Sequence, residues 1–189
     1  SAALLDGRPV GFQSDFPVLG PLPRGLQYAE SGPVGIRVSL RESRKFDTTL
    51  LLVPRIAVLG IGCRRGIAAG DIAAAVRGAF ARSGISPRCV AGVCSVSLKR
   101  DEPGLAEFCR SCGLSLRFFS PEELGRVPGE FSGSPFVRRV TGVDNVCERS
   151  AALGSGGRLI LKKQAKNGVT VAAAAPEYHV VFNGEEPKG

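Results

Sequence analysis

The chain has 189 residues, of which 43% are hydrophobic and 22% are charged. These values are typical of a globular protein and exclude a disordered or fibrous chain. No apolar run is long enough for a membrane-spanning helix and no secretory signal opens the sequence, so we expect a cytoplasmic protein without a membrane partner. The formal net charge of +8 favours an anionic partner, but aromatic residues make up only 6%, so a small polycarboxylate or phosphate is favoured over nucleic acid.

The first 47 residues differ in composition from the rest of the chain. Proline and glycine recur throughout them and helical periodicity is absent, which predicts an irregular or strand-rich segment with one strand over residues 34–40. From Thr48 onward the pattern changes. The apolar run LLLVPRIAVLG predicts one strand that is buried on both faces and ends in glycine. We therefore predict two domains, over residues 1–47 and 48–189.

Helical and strand patterns alternate after this first strand. In chain order the sequence predicts a helix capped by Asp71 and ended by Gly84, a strand over 90–98, a helix capped by Asp101 and ended by Gly113, a strand over 114–119, a short helix capped by Ser120, a helix ending near Leu153, and strands over 158–162 and 169–174. Asn167-Gly168 is a strong hairpin signal. The alternation predicts an α/β fold with a mixed, mostly parallel sheet flanked by helices and a terminal antiparallel hairpin.

The glycine-rich segment at residues 60–66 is the strongest candidate site. It follows a buried strand and precedes a helix, which is where open α/β sheets bind ligands. The glycines let the backbone approach a ligand and expose amides that attract anions. The two arginines add donors suited to carboxylate or phosphate. The predicted substrate-binding residues are Gly60, Gly62, Cys63, Arg64, Arg65 and Gly66.

The same glycines approximate a dinucleotide-binding fingerprint, so an NADP-binding oxidoreductase is one alternative. Their spacing departs from the motif, and the next strand ends in Lys99 and Arg100 rather than an acid, which suits only a phosphorylated cofactor. We predict that the protein has no cofactor of its own.

Six cysteines raise the question of a metal or a nucleophile. Cys109 and Cys112 form a CxxC, but they fall on the apolar face of a helix, and Cys89 and Cys94 lie in or beside a strand. We therefore favour buried thiols over a zinc site. The arginines beside Cys63 favour its thiolate. A nucleophilic Cys63 would need His179, the sole histidine, so we favour Cys63 as a small residue lining the pocket.

Five titratable residues late in the chain are weaker candidates. Asp144 and Glu148 share one helix face, which is either solvated or functional. Lys162 and Lys163 close a predicted strand, where the alternative is a charged strand edge. His179 follows the last strand and is more often a surface residue.

Three blocks in this order resemble one known family. The run LLLVPRIAVLGIGCRRG, the segment TGVDNVCERSAAL and residues 158–172 are similar to blocks of CbiG and of its stand-alone relative CobE. Together the blocks span about 125 residues. The residues before Thr48 resemble the end of the central region of full-length CbiG, which CobE lacks.

This resemblance implies a role in cobalamin biosynthesis. CbiG opens the δ-lactone of cobalt-precorrin-5A and releases acetaldehyde, giving cobalt-precorrin-5B. The cobalt is carried by the substrate, a tetrapyrrole with many carboxylate arms. For this reaction we predict that the 60–66 amides with Arg64 and Arg65 bind the oxyanion or the substrate carboxylates, that Gly142 and Lys162 also help to bind the substrate, and that Glu148 is the candidate base. The N-terminal domain of CbiG is a possible partner, and a tetrapyrrole-binding module without catalysis is the second alternative.

Overall fold

The computed structural model describes residues 7–131 and 144–183. The chain divides into two compact units, one formed by residues up to 54 and from 177 onward, the other by residues 55–176. The division falls at Pro54 and Arg55, whereas the sequence analysis placed the change at Thr48.

The first unit is built from strands. It contains β1 (Val10–Ser14), β2 (Val18–Leu19), β3 (Leu26–Tyr28), β4 (Val34–Val38) and β5 (Thr48–Leu52), and after the second unit β11 (Val180–Val181). Four of them form a parallel sheet in the order β3-β1-β4-β5, and β2 pairs with β11. Between residues 7 and 54 there is no helix.

The second unit has a five-stranded sheet covered by helices. Its elements are β6 (Ala57–Cys63), α1 (Ala69–Ser83), β7 (Val90–Val96), α2 (Pro103–Ser111), β8 (Ser115–Phe119), α3 (Pro121–Gly125), α4 (Val146–Ser155), β9 (Arg158–Lys166) and β10 (Val169–Ala175). Short 3₁₀ turns lie at Pro87–Cys89 and Ser97–Lys99. The strand order is β8-β7-β6-β10-β9, with β6, β7 and β8 parallel and β10 antiparallel to both neighbours. The predicted fold class is confirmed.

The core of this unit is apolar and lies between the sheet and the helices. Helix α1 packs beside α2, and α4 packs across β6, β7 and β10 with α3 next to it. Gly60 allows the close approach of α4, because a Cβ at this position would lie 1.7 Å from the Cys147 carbonyl oxygen. The large side chains that are almost completely buried include Leu59, Ile61, Ile72, Phe80, Val93, Leu105 and Val171.

Several local predictions are confirmed. Gly84 ends α1 in the left-handed conformation, and Ser120 caps α3 through a complete capping box. Asn167 and Gly168 form the β9–β10 turn with φ of 49° and 79°, as a two-residue hairpin requires.

The apolar run after Thr48 is not one strand. Pro54 and Arg55 divide it into β5 of the first unit and β6 of the second. Strand β6 also continues to Cys63, because residues 58–63 pair with β10. The glycine-rich loop predicted from Gly60 therefore begins only at Arg64.

Two predicted caps are also wrong. Helix α1 begins at Ala69, so Asp71 lies in its first turn rather than at its cap. Helix α2 is preceded by Glu102, not Asp101, at the capping position. In both cases the acid lies near the helix start, where a negative charge is favourable.

Candidate functional site

A cavity of about 530 Å³ opens at the carboxyl end of β6. Its floor is mainly apolar, and the residues around it come from the 64–66 loop, the end of β7, the start of α4 and the β9–β10 hairpin. Four cations line it, and among the described residues no carboxylate does: Arg64, Arg65, Lys99 and Lys163. The cavity is therefore suited to an anionic ligand with an apolar body.

The loop that carries the two arginines is held from both ends. Arg64 donates its backbone N–H to the Gly168 oxygen at 2.9 Å. The Gly66 amide donates to Glu102 Oε2 at 2.9 Å. Gly66 has φ of 68°, a conformation that favours glycine. The loop is thus tied to the hairpin turn on one side and to the start of α2 on the other.

Glu102 is a buried acid next to this cationic cavity. Its other oxygen accepts from Lys99 Nζ at 3.1 Å. Burial alone would raise the pKa of Glu102, but the Gly66 amide and the Lys99 ammonium stabilise the carboxylate, and the pKa lies below its ordinary value. Glu102 therefore stays ionised, anchors the loop and partly neutralises Lys99.

The start of α4 forms another wall of the cavity. Asn145 caps the helix, since its Oδ1 accepts from the Glu148 amide at 3.0 Å. Its Nδ2 donates to Glu148 Oε2 at 2.6 Å. The other Glu148 oxygen accepts from the backbone N–H of Lys163 at 2.7 Å. The positive end of the α4 dipole faces the cavity and favours an anion there.

Two cysteines line the cavity, and both are neutral thiols at ordinary pH. Burial raises the pKa of Cys63, while Lys99 lowers it and Glu102 raises it. The arginines beside Cys63 do not produce the thiolate that they were expected to favour, because desolvation outweighs the nearby cation. Cys63 lines the cavity, as the sequence analysis favoured. Burial also raises the pKa of Cys147 to about 11, against the opposing effects of Thr170 and Lys163.

The structure brings together part of the predicted substrate-binding set. Gly62, Cys63, Arg64 and Arg65 line the cavity. Gly60 lies behind the wall against α4, and Gly66 shapes the loop without lining the cavity. Lys162 is exposed outside the cavity, and Gly142 lies outside the described residues.

Glu148 does not occupy a solvated helix face. It is 2% exposed and does not line the cavity. A general base must reach the proton that it removes. Its role as base stays a prediction, and its contacts favour a different role.

The sequence analysis did not assign Lys99, Glu102 or Asn145 to the site, and it considered Lys163 only beside Lys162 as a weaker candidate. Only Asn145 carried a local signal, because it stands three residues before Glu148 in a capping pattern. The other three are identified only by tertiary contacts. Glu102 binds the 64–66 loop, Lys99 binds Glu102, and Lys163 of the hairpin binds Glu148 of α4 through its amide.

The remaining cysteines do not gather into a site. Cys89, Cys94 and Cys109 are buried, whereas Cys112 is exposed. In the described part of the chain, no three His, Cys, Asp or Glu residues are placed to hold a metal ion. Nor does that part contain a helix long and apolar enough to cross a membrane. His179 lies in the first unit and is exposed.

Comparisons with known protein families, sequences and structures agree on one family. The family described as "Cobalamin synthesis G C-terminus" matches residues 57–174. Cobalt-precorrin-5A hydrolase of Priestia megaterium is 31% identical over 138 residues, covering 72% of this chain and 37% of the relative. The enzyme of that name from Salmonella typhimurium is 34% identical over 120 residues, covering 64% of this chain and 34% of the relative. The chain thus spans about a third of the length of these relatives.

A solved structure supports the same assignment. The crystal structure of CobE, a protein from the cobalamin biosynthetic pathway, has a TM-score of 0.58 and 30% identity, covering 67% of this chain and 94% of CobE. None of these relatives favours the NADP-dependent alternative. The matched residues include every described residue that lines the cavity, and the chain belongs to the family of cobalamin synthesis G C-terminal domains.

Proposed function

We propose that this chain binds cobalt-precorrin-5A and takes part in opening its δ-lactone, as the C-terminal part of a cobalt-precorrin-5A hydrolase. The observation that carries the proposal is the cavity at the end of β6, with four cations around an apolar floor and no described carboxylate lining it. A cobalt-bearing tetrapyrrole has carboxylate arms around an apolar body, which matches this lining.

Lactone opening needs an activated water and donors that stabilise an oxyanion. One water adds to the lactone carbonyl, and cleavage of the ring C–O bond gives a carboxylate and an alcohol on the two-carbon fragment. The alcohol then loses its proton as the C–C bond to the macrocycle breaks, the electron pair of that bond stays with the macrocycle, and the fragment leaves as acetaldehyde. An oxyanion develops at the carbonyl, and cationic or amide donors stabilise such a charge. We assign this role to Arg64 and Arg65, both of which line the cavity. The cobalt belongs to the substrate, so the proposal needs no resident cofactor.

The relatives named as hydrolases are about three times as long as the matched region. We therefore propose that catalysis also draws on the N-terminal domain of such a protein. CobE is a relative that this chain covers almost completely, and binding without turnover is the corresponding second candidate function.

The test is anaerobic incubation of the 189-residue chain with cobalt-precorrin-5A, followed by absorbance, mass and an acetaldehyde assay. Acetaldehyde with an equimolar ring-opened product would support hydrolysis by this part. A spectral shift without product would support a binding module that needs another domain. No shift at stoichiometric protein would overturn the corrinoid assignment.

The first substitution to test is the double variant Arg64→Ala/Arg65→Ala. Each hydrogen bond to a charged group contributes about 1.5–3 kcal/mol, so affinity should fall by about 100-fold or more. The charge-matched control is Arg77→Ala/Arg110→Ala, since both arginines are exposed on helices and neither lines the cavity. Equal losses in the two variants would mean that net charge, and not this loop, determines binding.

A further inference from the structure

The hairpin strand β9 contains an irregularity beside the cavity. Val171 pairs with Gln164 and Ala173 pairs with Leu161. Ala172 is therefore opposed by two residues of β9, Lys162 and Lys163, which is the pattern of a β-bulge. Such a bulge leaves one residue out of the ladder and redirects side chains.

The two lysines have different environments. Lys162 is exposed and lies outside the cavity, whereas Lys163 is half-buried and lines it. The ammonium of Lys163 is close enough to Cys147, which also lines the cavity, to affect its ionisation. The bulge thus presents one of two adjacent cations to the site.

Glu148 stabilises this arrangement from α4. Its Oε1 accepts the Lys163 backbone N–H at 2.7 Å, and that N–H belongs to one of the two residues in the bulge. Its Oε2 accepts from Asn145 at 2.6 Å, so the carboxylate is fixed at the helix cap. A buried carboxylate at this point supplies the acceptor that the interrupted ladder does not.

We propose that Lys163 is the substrate-contacting cation of this hairpin and that Glu148 is its positioning residue, holding the β9 bulge through the Lys163 amide. This inference rests on the proposed function for the identity of the ligand. It does not require Glu148 to move a proton. A glutamine at position 148 would turn its own NH₂ donor toward either the Asn145 amide or the Lys163 N–H, both of which are donors. Glu148→Gln should therefore release the bulge.

The binding test is a double-mutant cycle read by absorbance titration with cobalt-precorrin-5A. Lys163→Ala should weaken binding about tenfold and the matched control Lys162→Ala less than about twofold. Glu148→Gln should weaken binding about fivefold in the Lys162→Ala background and have no further effect in the Lys163→Ala background. An equal effect of Glu148→Gln in both backgrounds would mean a merely structural role and would overturn the proposal.

A second readout needs no substrate. Trace acetylation of the free protein, quantified by mass spectrometry, should modify Lys162 faster than Lys163. In Glu148→Gln the acetylation rates of Lys162 and Lys163 should converge. An unchanged ratio of the two rates in the folded variant would overturn the positioning role, and this test does not depend on whether the chain binds a corrinoid. If Glu148→Gln does not fold, Asn145→Ser takes its place, because serine keeps the helix cap but removes the donor to Glu148.

Discussion

The ionisation of Cys63 shows how one residue's environment decides its chemistry. Arginines follow it in sequence, yet the thiol is partly enclosed by the cavity wall, and burial raises its pKa. Lys99 is the cation that opposes this shift, and Glu102 offsets part of its effect. Cys63 is thus a neutral thiol in the free protein, suited to lining a pocket rather than to nucleophilic attack.

The pH dependence of alkylation tests this conclusion. The rate of Cys63 modification by iodoacetamide should rise with a midpoint above the ordinary thiol value of 9.0. Lys99→Ala should move the midpoint higher, because the cation that favours the thiolate is gone. Peptide mass spectrometry would report Cys63 separately from the other thiols. A midpoint below the ordinary value would restore the thiolate hypothesis.

Single residues also mark where sequence reasoning fails. The capping residues Ser120 and Gly84 were predictable because their partners lie within a few residues. The choice between Lys162 and Lys163 was not, since alternation along a strand is broken by a bulge that depends on β10 and α4. Glu148 was assigned to a helix correctly, but Asp144 does not share its face, because Asp144 precedes the Asn145 cap. Glu148 is buried and accepts the Lys163 amide of β9.

At the scale of elements, the approach of α4 to β6 determines the back wall of the site. A side chain at Gly60 would meet the Cys147 carbonyl and the Ala151 amide. Gly60→Ala should therefore displace α4 and destabilise the protein by about 1–3 kcal/mol. The free energy of unfolding from urea titration would measure this loss.

Gly70 provides the matched control for that substitution. It lies in the first turn of α1, and a Cβ there would meet nothing within 4 Å. Gly70→Ala should stabilise the helix by about 0.5–1 kcal/mol. A Gly60→Ala protein as stable as the wild type would show that α4 does not pack on β6 as closely as described.

The boundaries of elements were less predictable than their types. The alternation of strands and helices fixed the α/β class, because each pattern extends over many residues. The end of β6 at Cys63 depends on pairing with β10 more than 100 residues later, as the 170↔62 pair shows. The glycine-rich segment 60–66 therefore resembled a loop, although its residues 60–63 belong to β6.

At the scale of the whole chain, the first unit is formed by two stretches of sequence, one before and one after the second unit. The second unit runs from Arg55 to Pro176, and a proline stands at or next to each boundary, where it limits the backbone. Residues after Pro176 return to the first unit, where β11 pairs with β2. Pairing over such a sequence separation leaves no local signal, so residues 177–183 could not be separated from the second domain in advance.

The stability of the second unit should depend on alkaline pH through its buried thiols. Burial raises the pKa of Cys89, Cys94 and Cys147 to about 11 and that of Cys109 to about 12, from 9.0 in an exposed thiol. Above about pH 9 the unfolded chain releases thiol protons that the folded chain keeps. The free energy of unfolding therefore falls as pH rises, by up to about 1.4 kcal/mol per pH unit for each thiol.

The variant Cys109→Ala isolates one of these contributions. It should be less stable than the wild type at pH 7 because a small cavity is left, but the difference should shrink between pH 9 and 11 in the presence of a reductant. Val93→Ala, at a buried position that carries no titratable group, should show a difference that does not change with pH. If the Cys109→Ala difference also stayed constant in urea unfolding, burial of that thiol would not perturb its ionisation, and the packing of α2 against the sheet would be looser than described.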